Sequence, residues 1–173
     1  MIFISESGLT DTRRAAQWDE WYLEHLAVMT TVPGILSAQR FATAEPGHPP
    51  SLAMYTLTSP AVFEDPYYLS VRGMGPWLPL IDRTYYRRNL FDGLEAAPTV
   101  ASDQYLRVAD CAQPDTAWQP GDRGYCLRAV GLDRSTPYRM LEVLDEEPPR
   151  LLPGSGRGAL YRPVTRRYTG AAT

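Results

Sequence analysis

The stretch ILSAQRFATAEPGHPPSLAMYTLT, residues 35–58, predicts a β-hairpin in the first half of the chain. Its two ends, 35–44 and 51–58, are rich in apolar and β-branched residues, as strands are. The cluster between them, EPGHPPS, contains three prolines and a glycine, which are typical turn residues. Because the connection is short, we expect the two strands to pair in an antiparallel sheet.

The segments around this hairpin predict a ferredoxin-like α+β unit. Residues 2–9 are expected to form a strand, and residues 11–31 a helix whose apolar residues recur every three or four positions. A second helix is predicted over residues 61–71, bent or split at Pro66, and a closing strand over residues 84–93. The order β-α-β-β-α-β is that of the split βαβ arrangement.

The second half of the chain repeats part of this pattern. We predict a first unit at residues 1–93, a linker at 94–103 and a shortened second copy at 104–173. In the second copy a Ser-Thr-Pro sequence precedes a predicted helix over residues 138–145, and a strand over 158–170 closes it. The expected fold class is α+β, with antiparallel sheets that form a dimeric or pseudo-dimeric α+β barrel.

Composition excludes several kinds of site. The net charge is −3, which disfavours a nucleic-acid partner, since such surfaces are usually strongly basic. All 17 basic residues are arginines, so Schiff-base catalysis and a Walker-type phosphate loop, which need lysine, are excluded. A bound anion would have to be held by arginine or by backbone N–H groups, and arginine recognises carboxylates through two parallel hydrogen bonds.

The cysteines, the N-terminal sequence and the hydropathy pattern predict a cytoplasmic protein. Cys111 and Cys126 fit no zinc or redox motif, and the two histidines do not stand at ligand spacing. No basic leader and no long apolar run is present, so neither a secretory signal nor a membrane span is expected. We therefore expect no metal, no cofactor and no membrane partner.

His25 is the first candidate for chemistry. It stands in WDEWYLEH, residues 18–25, beside two tryptophans and a tyrosine, on the apolar stripe of the predicted helix. One interpretation is a core histidine that donates a hydrogen bond to the backbone and has no further role. The other is a proton carrier in an apolar wall, because burial would keep the imidazole neutral and ready to accept a proton.

Other candidates surround the expected position of His25. Arg40 alternates with alanines in its strand, so it either faces a cavity below the helices, where it could hold a carboxylate, or faces solvent or a partner subunit. Tyr55 on the neighbouring strand could donate a proton. Tyr68 and Trp77, in and after the second predicted helix, either close the end of a pocket or belong to the core.

Three motifs resemble the EthD-like members of the dimeric α+β-barrel superfamily: W-x-x-W-Y-x-x-H at 18–25, PGILSAQRF at 33–41 and LAMYTLTSPAVF at 52–63. The resemblance covers roughly residues 1–93. It implies a relationship to muconolactone isomerases, polyketide cyclases, small cofactor-independent oxygenases and heme-using enzymes, and a homodimeric assembly. In several such proteins a histidine on the first helix faces the substrate cavity, which corresponds to His25 here.

Together these observations predict a small-molecule enzyme that works without a metal. It would act on a cyclic, aromatic or carbonyl-containing acid, as an isomerase, cyclase or lyase. His25 and Tyr55 are the predicted catalytic residues, and the predicted substrate-binding residues are Arg40, Trp21, Tyr22, Trp77 and Tyr68. Two alternatives remain: a cofactor-independent or heme-assisted monooxygenase, and a non-catalytic protein that binds a small ligand.

Overall fold

The computed structural model describes residues 1–114, 124–148 and 158–170, and these residues form nine strands and two α-helices. The helices are α1 (Ala15–Met29) and α2 (Pro66–Val71), and 3-10 turns cover Thr12–Arg14, Pro60–Glu64 and Gly75–Leu80. The first-half strands are β1 (Ile2–Ser7), β2 (Ile35–Ala42), β3 (Ser51–Leu57) and β4 (Arg87–Asp92). The others are β5 (Tyr105–Cys111), β6 (Gly124–Leu132), β7 (Tyr138–Leu144), β8 (Ala159–Pro163) and β9 (Tyr168–Thr169).

Eight of these strands close into a ring of antiparallel hydrogen bonds. The order is β3-β1-β4-β6-β7-β5-β8-β2, and β2 pairs again with β3. The predicted hairpin at residues 35–58 is confirmed as the β2–β3 pair. The two halves of the chain contribute four strands each, β2-β3-β1-β4 and β6-β7-β5-β8, so the relative order of the strands is the same in both.

The predicted fold class was wrong. Instead of a ferredoxin-like α+β unit with a shortened copy in a dimeric or pseudo-dimeric α+β barrel, the chain forms a closed eight-stranded antiparallel β-barrel by itself. Strands dominate the described residues, and among these α1 is the single helix longer than two turns. The closure is made by pairing of β4 with β6 and of β2 with β8, which are long-range contacts that no local pattern reveals.

The helix predicted at residues 138–145 was also wrong, because this segment forms β7. Seven residues of β7 pair with β5, and five of them also pair with β6 on the other side. The alternation Arg139, Leu141, Val143 faces the barrel interior, where the two apolar side chains join the core. The sequence of β7 does not alternate cleanly, because the polar Arg139 stands on the inner face and the apolar Met140 stands on the outer one.

The second predicted helix is split at Pro66, as the sequence indicated. The Ser59 hydroxyl accepts a hydrogen bond from the backbone N–H of Ala61 and begins the 3-10 turn. The Asp65 carboxylate then accepts hydrogen bonds from the backbone N–H groups of Tyr67 and Tyr68 and begins α2. Proline at the first helical position loses no hydrogen bond there, so Pro66 starts a new helix instead of bending the old one.

Two apolar layers lie on the two faces of the sheet. Side chains inside the barrel form one core, which includes Ile4, Phe41, Met54 and Phe91. The second core lies outside the barrel, where α1, α2 and the turns pack on the outer face of β1, β2, β3 and β4. Because strand side chains alternate between faces, Phe3 and Tyr55 point toward the helices while Ile4 and Met54 point inward.

Residues 94–103, the predicted linker, join β4 to β5, and part of this segment packs at one end of the barrel. Ala97 and Val100 are buried in the inner core. The Ala97 N–H donates a hydrogen bond to the Thr56 hydroxyl, and the Gln39 amide donates one to the Val100 carbonyl. This end of the barrel is therefore filled by protein.

The opposite end of the barrel contains a buried ion-pair cluster. Arg139 is 1 % exposed, and its guanidinium donates hydrogen bonds to Glu6 at 3.0 Å and to Asp110 at 2.8 Å. Burial alone would lower the pKa of Arg139, but the neighbouring carboxylates of Glu6 and Asp110 raise it, so the arginine stays charged. Arg139 Nη1 is buried and has no hydrogen-bond partner among the described residues.

Two segments of the second half lie mostly outside the described residues. Residues 111–123 are expected from their length to be too short for another long helix and strand, and the glycine-rich sequence LPGSGRG at 152–158 is expected to be a loop. Across the residues that the structure describes, no helix is long and apolar enough to cross a membrane.

Replacing Arg139 by methionine should lower the free energy of unfolding by about 3–5 kcal/mol, because it leaves the buried Glu6 carboxylate without its partner. Urea denaturation measures this change. The double variant Glu6→Gln/Arg139→Met should recover part of the loss. Arg128→Ala, at an exposed arginine, should change stability by no more than about 0.5 kcal/mol. Wild-type stability in Arg139→Met would contradict the structural role of the cluster.

Candidate functional site

A cavity of about 290 Å³ lies outside the barrel, between α1, α2 and the outer face of the sheet. This volume is at the lower end of the range of small-molecule sites and suits a ligand with a single ring. The sheet and the segment that leads into β4 contribute Phe3, Ser5, Tyr55, Tyr86 and Arg88. The helices and the turn after α2 contribute Tyr22, His25, Met29, Tyr68, Leu69, Arg72, Gly73 and Met74.

His25 lies on the wall of this cavity, where α1 holds it against two aromatic rings. Its imidazole stacks on the ring of Trp21, with centroids 4.7 Å apart and an angle of 12° between the planes. It also meets the ring of Tyr22 edge-on at 5.8 Å. Residues three and four positions apart share one face of a helix, so the sequence spacing produces both contacts.

The surroundings of His25 keep its imidazole neutral. Burial lowers the pKa of His25 from 6.5 to about 4, because the charged form loses its hydration. At neutral pH the ring therefore carries one N–H donor and one nitrogen lone pair. Such a group can accept a proton from a ligand, and the imidazolium that forms is stabilised if the ligand becomes negatively charged.

Tyr22 and Tyr55 place two phenols at the floor of the cavity. Burial raises the pKa of Tyr22 to about 12, although the nearby Arg40 acts in the opposite direction. Burial and the neighbouring phenols of Tyr22 and Tyr68 raise the pKa of Tyr55 well above its ordinary value. Both phenols are therefore protonated at neutral pH and are available as hydrogen-bond donors.

Arg72 and Arg88 also line the cavity, and neither was predicted from the sequence to be a site residue. Arg88 belongs to β4 and Arg72 follows α2 directly. In the predicted strand YYRRNLF, alternation would have placed Arg88 on the same face as the apolar Leu90, which is the signal that identifies it. Nothing in the sequence marks Arg72, because its position depends on how the short α2 ends.

Arg40 faces the helices but does not line the cavity. It is 4 % exposed, its Nε donates a hydrogen bond to the Ser51 hydroxyl at 2.9 Å, and its Nη1 contacts the Asp19 carboxylate at 2.6 Å. Its guanidinium lies 4.5 Å from the ring centroid of Tyr22. Arg40 therefore ties α1 to the sheet and supports Tyr22, and its donors are directed to protein groups instead of the cavity.

The remaining predicted site residues divide between the cavity and the core. Tyr68 lines the cavity. Trp77 is 6 % exposed and packs edge-on against Trp18 with centroids 5.3 Å apart, so it belongs to the outer core. Trp21 stacks on both Trp18 and His25 without lining the cavity, which makes it a support for the imidazole.

A second, smaller cavity of about 200 Å³ lies at the end of the barrel that holds the ion-pair cluster. Its lining includes Glu6, Asp110, Arg139, Arg87 and the second histidine, His48. Positive and negative side chains are interspersed there. Among the described residues, no group of three or more His, Cys, Asp or Glu side chains is arranged to hold a metal ion.

The lowered pKa of His25 predicts a specific pH dependence of stability. The unfolded chain binds more protons at this position between its ordinary pKa of 6.5 and the folded value of about 4. The wild-type protein should therefore lose stability as the pH falls through this window, whereas His25→Gln should lose less. Urea denaturation at several pH values compares the stability of the wild-type protein with that of His25→Gln. NMR titration of the His25 ring C–H signal, which is assigned with the help of His48→Gln, measures the pKa of His25. Equal pH profiles would contradict the burial of His25.

Comparison with known proteins does not assign the chain to a family or to a known site. No protein-family model, no curated protein and no solved structure matches the chain.

Proposed function

We propose that the protein is a small-molecule enzyme in which His25 exchanges a proton with a cyclic, aromatic or carbonyl-containing substrate. The observation that carries this proposal is the position of a neutral imidazole on the wall of a cavity that suits a single-ring ligand. Titratable groups whose pKa is shifted by burial, and which line a concave site, are frequently catalytic.

The proposed chemistry is proton transfer next to a carbonyl group. The His25 lone pair removes a proton from the carbon beside the carbonyl, and the electron pair of that C–H bond moves onto the carbonyl oxygen to form an enolate. A phenol, Tyr22 or Tyr55, donates a hydrogen bond to the developing oxyanion. In a β,γ-unsaturated substrate the imidazolium returns the proton to the γ-carbon, which gives an isomerisation. In a substrate with a leaving group on the β-carbon, the enolate reforms the carbonyl, the bond to the leaving group breaks, and the imidazolium protonates the departing group.

The resemblance to EthD-like proteins supports one element of this proposal. It implied that a histidine of the first helix faces the substrate cavity, and His25 has that position on α1. The fold implied by the same resemblance was wrong, so the support rests on this one residue and not on the architecture.

A non-catalytic role in ligand binding is the second candidate, and one observation favours it. An effective general base has a pKa near the working pH, whereas burial lowers the pKa of His25 to about 4. If a bound ligand does not raise that value, the imidazole serves only as a hydrogen-bonding wall. Whether a bound compound exchanges protons with the solvent therefore distinguishes an enzyme from a non-catalytic binding protein.

The test is solvent deuterium exchange. Small cyclic and aromatic ketones and keto acids are incubated with the protein in deuterium oxide, and NMR follows the C–H signals next to each carbonyl. The wild-type protein should catalyse exchange in at least one compound, and His25→Gln should slow it by roughly 10²–10⁴-fold, the usual contribution of a general base.

His48→Gln is the matched control, because His48 lies at the other cavity and its replacement should leave the exchange rate unchanged. Saturable binding of a compound without any exchange would reject the enzyme and favour the binding protein. Exchange at the wild-type rate in His25→Gln would remove His25 from the mechanism.

A further inference from the structure

We propose that the His25 cavity recognises an organic carboxylate, with Arg88 and Arg72 as the residues that hold the carboxylate group. This inference deepens the proposed function, since it concerns the substrate class of the same site and rests on that site being used. It assigns the role first expected of Arg40 to two other arginines.

The charge of the lining is the first argument. Among the described residues that line the cavity, two are arginines, the histidine is neutral at neutral pH, and none is aspartate or glutamate. Elsewhere in the protein, buried arginines have carboxylate partners: Arg40 pairs with Asp19, and Arg139 pairs with Glu6 and Asp110. The described part of the lining therefore carries two positive charges and no negative one, which favours an anionic ligand.

The hydrogen bonding of Arg88 is the second argument. Its Nε is buried and has no hydrogen-bond partner in the described part of the chain. Leaving such a donor unpaired is unfavourable. Rotation of the side chain toward the cavity would let a carboxylate accept from Nε and Nη of the guanidinium in parallel. The carboxylate of the ligand would supply the hydrogen-bond acceptor that Arg88 Nε lacks.

The backbone around Arg88 is fixed, which makes it a suitable anchor. Its N–H donates a hydrogen bond to the Asp133 carboxylate at 2.7 Å, and its carbonyl accepts one from the Asp133 N–H at 2.9 Å. These two contacts join β4 to the turn after β6. A binding residue on a strand held in this way keeps its position without the ligand.

Arg72 and Arg88 line the cavity from different elements, and Tyr68 lines it with them. The pKa of the Tyr68 phenol is raised by burial and lowered by the charges of Arg88 and Arg72. We therefore assign the carboxylate to the part of the cavity beside Tyr68. The rest of the ligand would extend along Phe3 and Tyr55 toward His25.

The test uses three probes of matched shape that differ in charge: benzoate, benzamide and benzamidinium. Isothermal titration calorimetry should give saturable binding of benzoate, with benzamide at least about tenfold weaker and no binding of benzamidinium. Arg88→Gln should weaken benzoate by roughly 10–100-fold, the value of a charge-assisted hydrogen-bonded pair. The same variant should leave benzamide within about twofold of its wild-type affinity.

Three further variants test whether benzoate binding depends on the arginines that line the cavity. Arg72→Gln, at an exposed position after α2, should also weaken benzoate and tests the site if Arg88→Gln fails to fold. Arg88→Lys should restore part of the affinity, because it keeps the charge without the planar pair of donors. Arg128→Gln removes an arginine that does not line the cavity and should have no effect.

Failure of this inference and failure of the proposed function give different results. Equal affinity for benzoate and benzamide, unchanged benzoate binding in both arginine variants, or no benzoate binding at all would overturn the carboxylate site. Exchange that is equally fast in neutral ketones and keto acids would leave the His25 function intact and would likewise overturn the site. Benzoate binding through Arg88 in a protein that exchanges no protons would keep the carboxylate site and reject the enzyme.

Discussion

The hydrogen bonds that join β4 to β6 and β8 to β2 are the constraint on which the rest of the structure depends. They connect the two halves of the chain, so that each of the eight strands has a hydrogen-bonded neighbour on both sides within the described residues. Once the ring is closed, alternation along each strand fixes which side chains face inward. The inner set forms the core of the barrel, and the outer set of β1, β2, β3 and β4 packs against helices.

Much of the first half followed from the sequence. The hairpin, the apolar stripe of α1 and the break at Pro66 depend on neighbouring residues, and local patterns reported them. The second half did not follow, because Arg139 on the inner face of β7 and Met140 on its outer face break the alternation that distinguishes a strand from a helix. Closure within one chain could not be predicted either, since it joins residues far apart in sequence.

The residues of the candidate site also divide into those that neighbouring sequence predicts and those whose contacts come from distant parts of the chain. His25 was found because its aromatic neighbours stand at helical spacing, and Tyr55 because it lies on the adjacent strand. Arg40 and Arg88 are both arginines on the outer face of a strand, and they differ in their hydrogen-bond partners, which the sequence does not reveal. Asp19 and Ser51 occupy the donors of Arg40, whereas Nε of Arg88 lacks an acceptor among the described residues.

The position of the His25 cavity outside the barrel separates the candidate site from the hydrogen bonds that close the ring. Ala97 and Val100 pack in the inner core at one end, and the cavity with His25 lies outside the sheet beneath α2 and the turn after it. This cover takes part in none of the strand pairings that close the ring. Sequence changes in it can therefore alter the cavity while the ring keeps its hydrogen bonds.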